Sequence, residues 1–190
     1  EEAIPMFDKA LSLNPDGPGW YVGNLSVARA FIGKSEEAIT TLHGALSLDP
    51  DNAQICRFLS LVLSYEGKYE ESLSMARNAL SLKKKTPSSA SDPEFYLTLG
   101  LSRLMMGQYV EAIAAFKKAI SISTEYVYAL IGLTASYSMA GRVEEARDQA
   151  SEVLRINPKI TLKDITKNGY LNFQKADKER FINALSKAGL

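Results

Sequence analysis

Residues 93–119 read Pro93-Glu94-Phe95-Tyr96-Leu97-Thr98-Leu99-Gly100-Leu101-Ser102-Arg103-Leu104-Met105-Met106-Gly107-Gln108-Tyr109-Val110-Glu111-Ala112-Ile113-Ala114-Ala115-Phe116-Lys117-Lys118-Ala119. Tyr96, Leu99, Gly100 and Arg103 keep the three- and four-residue spacing of one helical face. Gly107 ends that run, because glycine enters positive φ at no steric cost. A second run opens with Glu111, whose carboxylate suits the partial positive charge of a first helical turn. Ala112, Ala115 and Ala119 then place small side chains where two helices must approach closely. The segment predicts a helical hairpin.

The same grammar recurs. Gly33, Gly67, Gly107 and Gly141 are separated by 34, 40 and 34 residues. The series Ala45, Ala79, Ala119, Val153 and the series Ala38, Ser72, Ala112, Ala146 repeat those separations. A period of 34 with six residues inserted once accounts for all three. Acidic openings recur at Ser35-Glu36-Glu37, Tyr69-Glu70-Glu71 and Val143-Glu144-Glu145, and Pro15, Pro50 and Pro158 stand just past the second helices.

Composition bounds the function. The chain has 190 residues, 46% apolar and 23% charged, which suits a folded rather than a disordered protein. Lys and Arg number 22 against 22 Asp and Glu, so no net field draws in nucleic acid or an anionic membrane, and neither is expected as a partner. One Cys and one His supply neither an internal disulfide nor a zinc site, and no metal or cofactor is expected. No apolar run approaches a membrane span and no signal-peptide pattern opens the chain, which together predict a cytoplasmic setting. Phosphate cradles, HExxH and nucleophile elbows do not occur in the sequence, so no catalysis is expected. His43 reads as an exposed or half-packed side chain, and Cys56 as a small buried hydrophobe.

A 34-residue hairpin of this small/large/small spacing resembles the tetratricopeptide repeat. Its consensus positions 4, 7, 8, 11, 20, 24, 27 and 32 fall on Tyr96, Leu99, Gly100, Arg103, Ala112, Phe116, Ala119 and Thr124. The resemblance implies an all-α, right-handed superhelical solenoid with full copies over 19–52, 53–86, 93–126 and 127–160. Residues 1–18 read as the second helix of a truncated copy, with Ala3, Phe7, Ala10 and Pro15 at the matching positions. Ile4 and Phe7 would then lack a partner helix, and the chain is expected to be a piece of a longer polypeptide. Residues 87–92 form the inserted loop, after lysines (Lys83, Lys84, Lys85) that complement a helix end.

In such arrays the first helix of each copy lines a concave surface through positions 2, 5, 6, 9, 12 and 13. One subfamily clamps carboxylate tails there with Lys and Asn; Gly23, Arg57, Leu97 and Ile131 at position 5 and Val27, Leu61, Leu101 and Ala135 at position 9 do not fit it. The side chains present predict an apolar groove for a hydrophobic or amphipathic protein segment. Its expected members are Trp20, Asn24, Val27, Phe31, Arg57, Phe58, Leu61, Tyr65, Leu97, Leu101, Met105, Tyr128, Ile131 and Met139. On that reading, Asp at Leu61 and Leu101 removes partner capture and leaves the helices intact. Two other readings stay open: the same residues pack first helices together, or they are covered by the chain's own tail or a second copy.

Residues 161–190 predict C-terminal capping helices. Thr161 and Asp164 suit a capping box, Asn168-Gly169 a helix end, and Tyr170-Leu171-Asn172-Phe173 a connector. Asp177 is expected to open a last helix, with Phe181, Ile182, Leu185 and Ala188 on one face and Gly189 at its end. Asn157-Pro158-Lys159-Ile160-Thr161-Leu162, Lys178-Glu179-Arg180-Phe181 and Leu185-Ser186-Lys187-Ala188-Gly189-Leu190 resemble the end of bacterial class III adenylate/guanylate cyclases that carry such repeats. That resemblance implies a regulatory or assembly arm, with catalysis upstream.

Overall fold

The structure, a computed structural model, describes Lys9 and residues 19–85, 92–167 and 172–190. Apart from Lys9, the half copy expected over 1–18 lies outside the described residues, as do residues 87–91 of the inserted loop expected over 87–92, the Asn168-Gly169 stop and Tyr170-Leu171. Those described are helical with short turns, and no strand occurs among them. The helices are α1 (Gly19–Phe31), α2 (Ser35–Leu48), α3 (Ala53–Tyr65), α4 (Tyr69–Lys84), α5 (Glu94–Met105), α6 (Tyr109–Ile122), α7 (Val127–Met139), α8 (Val143–Ile156), α9 (Leu162–Lys167) and α10 (Lys175–Ala188). They belong to two compact units, residues 1–90 and 91–190.

Every first helix stops the same way. Gly33, Gly67, Gly107 and Gly141 have φ between +73° and +82°. The amide that follows each glycine bonds back five residues, as in Lys34 N–H to Arg29 O at 2.9 Å, Gln108 N–H to Arg103 O at 2.9 Å and Arg142 N–H to Tyr137 O at 2.9 Å. This left-handed closure satisfies carbonyls that the helix leaves orphaned and turns the chain straight into the second helix. Glutamates at 36, 37, 70, 71, 111, 144 and 145 occupy the first turns of those second helices.

In the first unit α1 packs on α2, α3 on α4, and α3 also packs on α1 and α2. Gly23 lets the Phe58 ring lie where a Cβ would stand, since a Cβ there would come within 1.9 Å of that ring. Between α3 and α4 two small polar residues replace apolar ones. Ser60 Oγ donates to Ser72 O at 2.7 Å and Ser72 Oγ donates to Ser60 O at 2.8 Å, so both buried hydroxyls are paired. Cys56 is fully buried, as expected; burial pushes its thiol up from the ordinary range, partly opposed by the Asn78 amide at 3.5 Å.

In the second unit α5 packs on α6, α7 on α8, and α7 on α6 and α5. Phe116 has no exposed surface, and a Cβ at Gly100 or Gly132 would stand 2.6 or 2.5 Å from its ring. The large residue of the repeat thus fits between two positions without side chains, one in its own hairpin and one in the next. Thr161 and Asp164 cap α9 reciprocally: Thr161 N–H donates to Asp164 Oδ2 at 3.0 Å and Asp164 N–H to Thr161 Oγ1 at 3.2 Å. The Thr161 hydroxyl, which donates to Asp164 Oδ2 at 2.5 Å, and then the Thr161 N–H hold the Asp164 carboxyl below its usual range.

The last helix starts two residues earlier than expected, at Lys175 rather than Asp177, and buries Phe181, Ala184, Leu185 and Ala188 against α7 and α8. Phe173 packs beside Phe181, ring centroids 6.3 Å apart. Ile182, expected on the same face, is half-buried. Gly189 has φ +99°, and Leu190 N–H bonds Leu185 O at 3.2 Å. That is the closure used by the first helix of every hairpin.

Candidate functional site

Burial divides the members expected for the apolar groove. Arg57, Phe58, Leu61, Tyr65, Leu97, Leu101, Met105 and Ile131 are all buried, Leu61 at 4% and Leu101 at 3% exposure. A side chain already surrounded by protein offers no surface to a partner, and Asp in place of Leu61 or Leu101 would place an unpaired charge in the packing instead. Among the expected members, Val27, Tyr128 and Met139 are half-buried, and Trp20, Asn24 and Phe31 are exposed.

The contacts of these residues explain their burial in part. Arg57 lies over the Phe58 ring, 4.0 Å from its centroid, and donates from Nε to Gln54 Oε1 at 3.0 Å. Phe58 fills the space over Gly23, and Phe31 and Tyr65 meet with centroids 5.8 Å apart. Equivalent positions of adjacent first helices therefore touch each other, which was one of the open readings. Asn24 spends its amide on its own helix, donating to Trp20 O at 2.8 Å. Tyr128 packs edge-on against Tyr126 at 6.0 Å.

An accessible groove does exist, in the second unit. It measures ≈ 560 Å³ and runs between α7 and α10. Ser138 and Met139 border it from the end of α7 and Tyr109 from the start of α6. Ala176, Glu179, Arg180, Asn183, Ala184 and Lys187 border it from α10. Its lining is largely polar. Arg180 is committed, pairing with Asp177 at 2.8 Å and donating to Met105 O at 3.1 Å, where it caps a carbonyl at the end of α5.

Most of these α10 residues escaped the reading of the sequence, although a signal for them existed. Gly141 and Gly189 are 48 residues apart, which is 34 + 14. With Gly189 in register with the other turn glycines, Ala176, Glu179, Arg180, Asn183 and Lys187 take positions 2, 5, 6, 9 and 13. Those are the lining positions of a first helix. The shared closure and the packing on α7 make α10 the counterpart of a further first helix.

Among the described residues, no group of three or more His, Cys, Asp or Glu could hold a metal ion, and no helix is long and apolar enough to cross a membrane. His43 is exposed. Two tetratricopeptide-repeat family models match the sequence, one over residues 59–127 and the other over residues 103–164. Residues 59–164 are tetratricopeptide repeats. The TPR repeat-containing protein YpiA of Bacillus subtilis (strain 168) is 27% identical over 153 residues, covering 80% of this chain and 34% of that protein. The chain thus spans about a third of that relative's length. The solved structure of PilW, a widely conserved type IV pilus biogenesis factor, superposes with a TM-score of 0.74 at 18% identity, over 98% of this chain and 81% of that one. YrrB, a TPR protein with an unusual peptide-binding site, gives 0.59 at 19% identity, over 96% of this chain and 90% of that one. These likenesses establish the all-α hairpin-repeat fold.

Proposed function

We propose that this chain is a non-catalytic scaffold that holds an extended segment of a protein partner against the lining positions of its first helices. The observation that carries the reading is the groove of ≈ 560 Å³ between α7 and α10, built from those positions and left open where those of α3 and α5 are packed over. A site of this volume bordered by hydroxyl, amide, carboxylate and ammonium groups suits a peptide backbone better than a compact apolar ligand. YrrB, of the same fold, has an unusual peptide-binding site. Trp20 and Phe31 on α1, 50% and 42% exposed, offer a separate apolar contact for an amphipathic partner segment.

The test is selection of peptides from a random display library on the purified 190-residue chain, followed by fluorescence anisotropy of the winners. Peptides binding tighter than about 1 mM and competing with one another are expected. A library that yields no binder at that level would falsify the scaffold reading.

A further inference from the structure

Glu179, Asn183 and Lys187 stand at i, i+4 and i+8 on α10, so they form one row along a single helix face. All three border the groove. None of the three side chains has a hydrogen bond or ion pair with another described residue, whereas Arg180 beside them is held by Asp177 and the Met105 carbonyl. The row therefore presents an acid, an amide and a base, in that order, to whatever enters.

Their spacing sets the occupant. A rise of 1.5 Å per residue puts Glu179 and Lys187 about 12 Å apart along the helix. An extended chain advances about 3.3 Å per residue with alternate side chains on one face, so its positions i and i+4 share a face and span about 13 Å. Asn183 lies midway, and its side-chain amide carries both a donor and an acceptor, matching a peptide group. Resting on the scaffold reading above, we propose that the α7–α10 groove takes an extended partner segment with Lys or Arg at one position and Asp or Glu four residues away. The basic side chain pairs with Glu179, the acidic one with Lys187, and the peptide between them bonds Asn183.

Charge complementarity selects this occupant over others. A segment carrying two like charges sets one of them against its own kind. A wholly apolar segment takes water from Glu179, Asn183 and Lys187 and returns no partner. Either chain direction satisfies the row, so the composition of the pair matters and its order does not.

The experiment uses four fluorescein-labelled nonapeptides that differ only at two positions four apart: Lys/Glu, Lys/Lys, Glu/Glu and Gln/Gln. Anisotropy at low salt is read for the full chain and for Glu179→Lys and Lys187→Glu, with circular dichroism confirming that each variant keeps its helices. The full chain is expected to bind Lys/Glu about fivefold tighter than the other three. Glu179→Lys moves the preference to Glu/Glu, and Lys187→Glu moves it to Lys/Lys. No preference, a preference that neither variant moves, or binding of none of the four overturns the proposal. Display-selected binders that lack the charge pair also overturn it while leaving the scaffold reading standing; the absence of any binder removes both.

Discussion

Helices α3 and α10 close on the same glycine turn and occupy the same place in the repeat, yet they present opposite surfaces. Along α3 every residue from Ile55 to Tyr65 is buried, polar ones included. Along α10 only Phe181, Ala184, Leu185 and Ala188 are buried, and a polar row faces the groove. Register places a side chain on the lining face, but neighbours decide whether that face remains a surface. On α3 the lining positions carry mostly apolar side chains, whose cover is favourable. On α10 they carry Glu179, Asn183 and Lys187, which keep their hydration in the open groove.

Breaking this contrast from the α3 side should have the largest effect. Leu61→Asp is expected to cost about 4 kcal/mol or more and to unfold the first unit, seen as lost helicity and a lowered urea midpoint. A folded, equally stable Leu61→Asp chain would show that the stripe is a surface after all. Next comes the second unit's packing. Phe116→Ala is expected to cost about 3–5 kcal/mol, since it empties a site that two glycines were shaped to fill. Phe181→Ala removes a similar volume from α10, but the loss should be local. Hydrogen exchange would then speed up over residues 175–188 and leave α5 to α8 protected, distinguishing a terminal helix from a central one.

Smaller effects sharpen the same comparison. Gly107→Ala forces a side chain into φ +74° with open space around it, so strain alone acts, about 1 kcal/mol in denaturant unfolding. Cys56 tests how closed α3 is. Its folded-state thiol ionises above the unfolded value of 9.0, so the unfolded chain releases its proton first and stability falls as pH rises through that value. The wild-type chain should lose ground to Cys56→Ala as pH rises above about 9, and Ellman's reagent should label Cys56 only as fast as α3 opens. On α10, Asn183→Ala should change stability by less than about 0.5 kcal/mol, because nothing in the described fold leans on that amide. A larger loss would mean that the row serves the fold and not a ligand.

Much of this was legible before any coordinates. The 34-residue period, the four turn glycines, the acidic second-helix starts and the Thr161–Asp164 cap are local statements. Each depends on residues within a turn or two of one another, whose φ/ψ preferences and helical spacing are written in the chain. Two things were not legible in that way. Which residues at lining positions are bare was left open between a groove, packing of first helices and self-cover, because a position marks a direction and not an exposure. The α10 row was passed over because a 14-residue offset hid its register behind a segment that no longer reads as a repeat.

By itself the sequence determined which segments coil, where each coil stops and which side chains share a face, because those follow from backbone sterics over a few residues. Only the tertiary structure decided that Leu61 and Leu101 are covered, that Phe116 lies between Gly100 and Gly132, and that Arg180 reaches Met105 across 75 residues of chain. Burial and long-range pairing depend on what arrives from elsewhere in the molecule. The α7–α10 groove, with Glu179, Asn183 and Lys187 along its edge, is such a product of assembly.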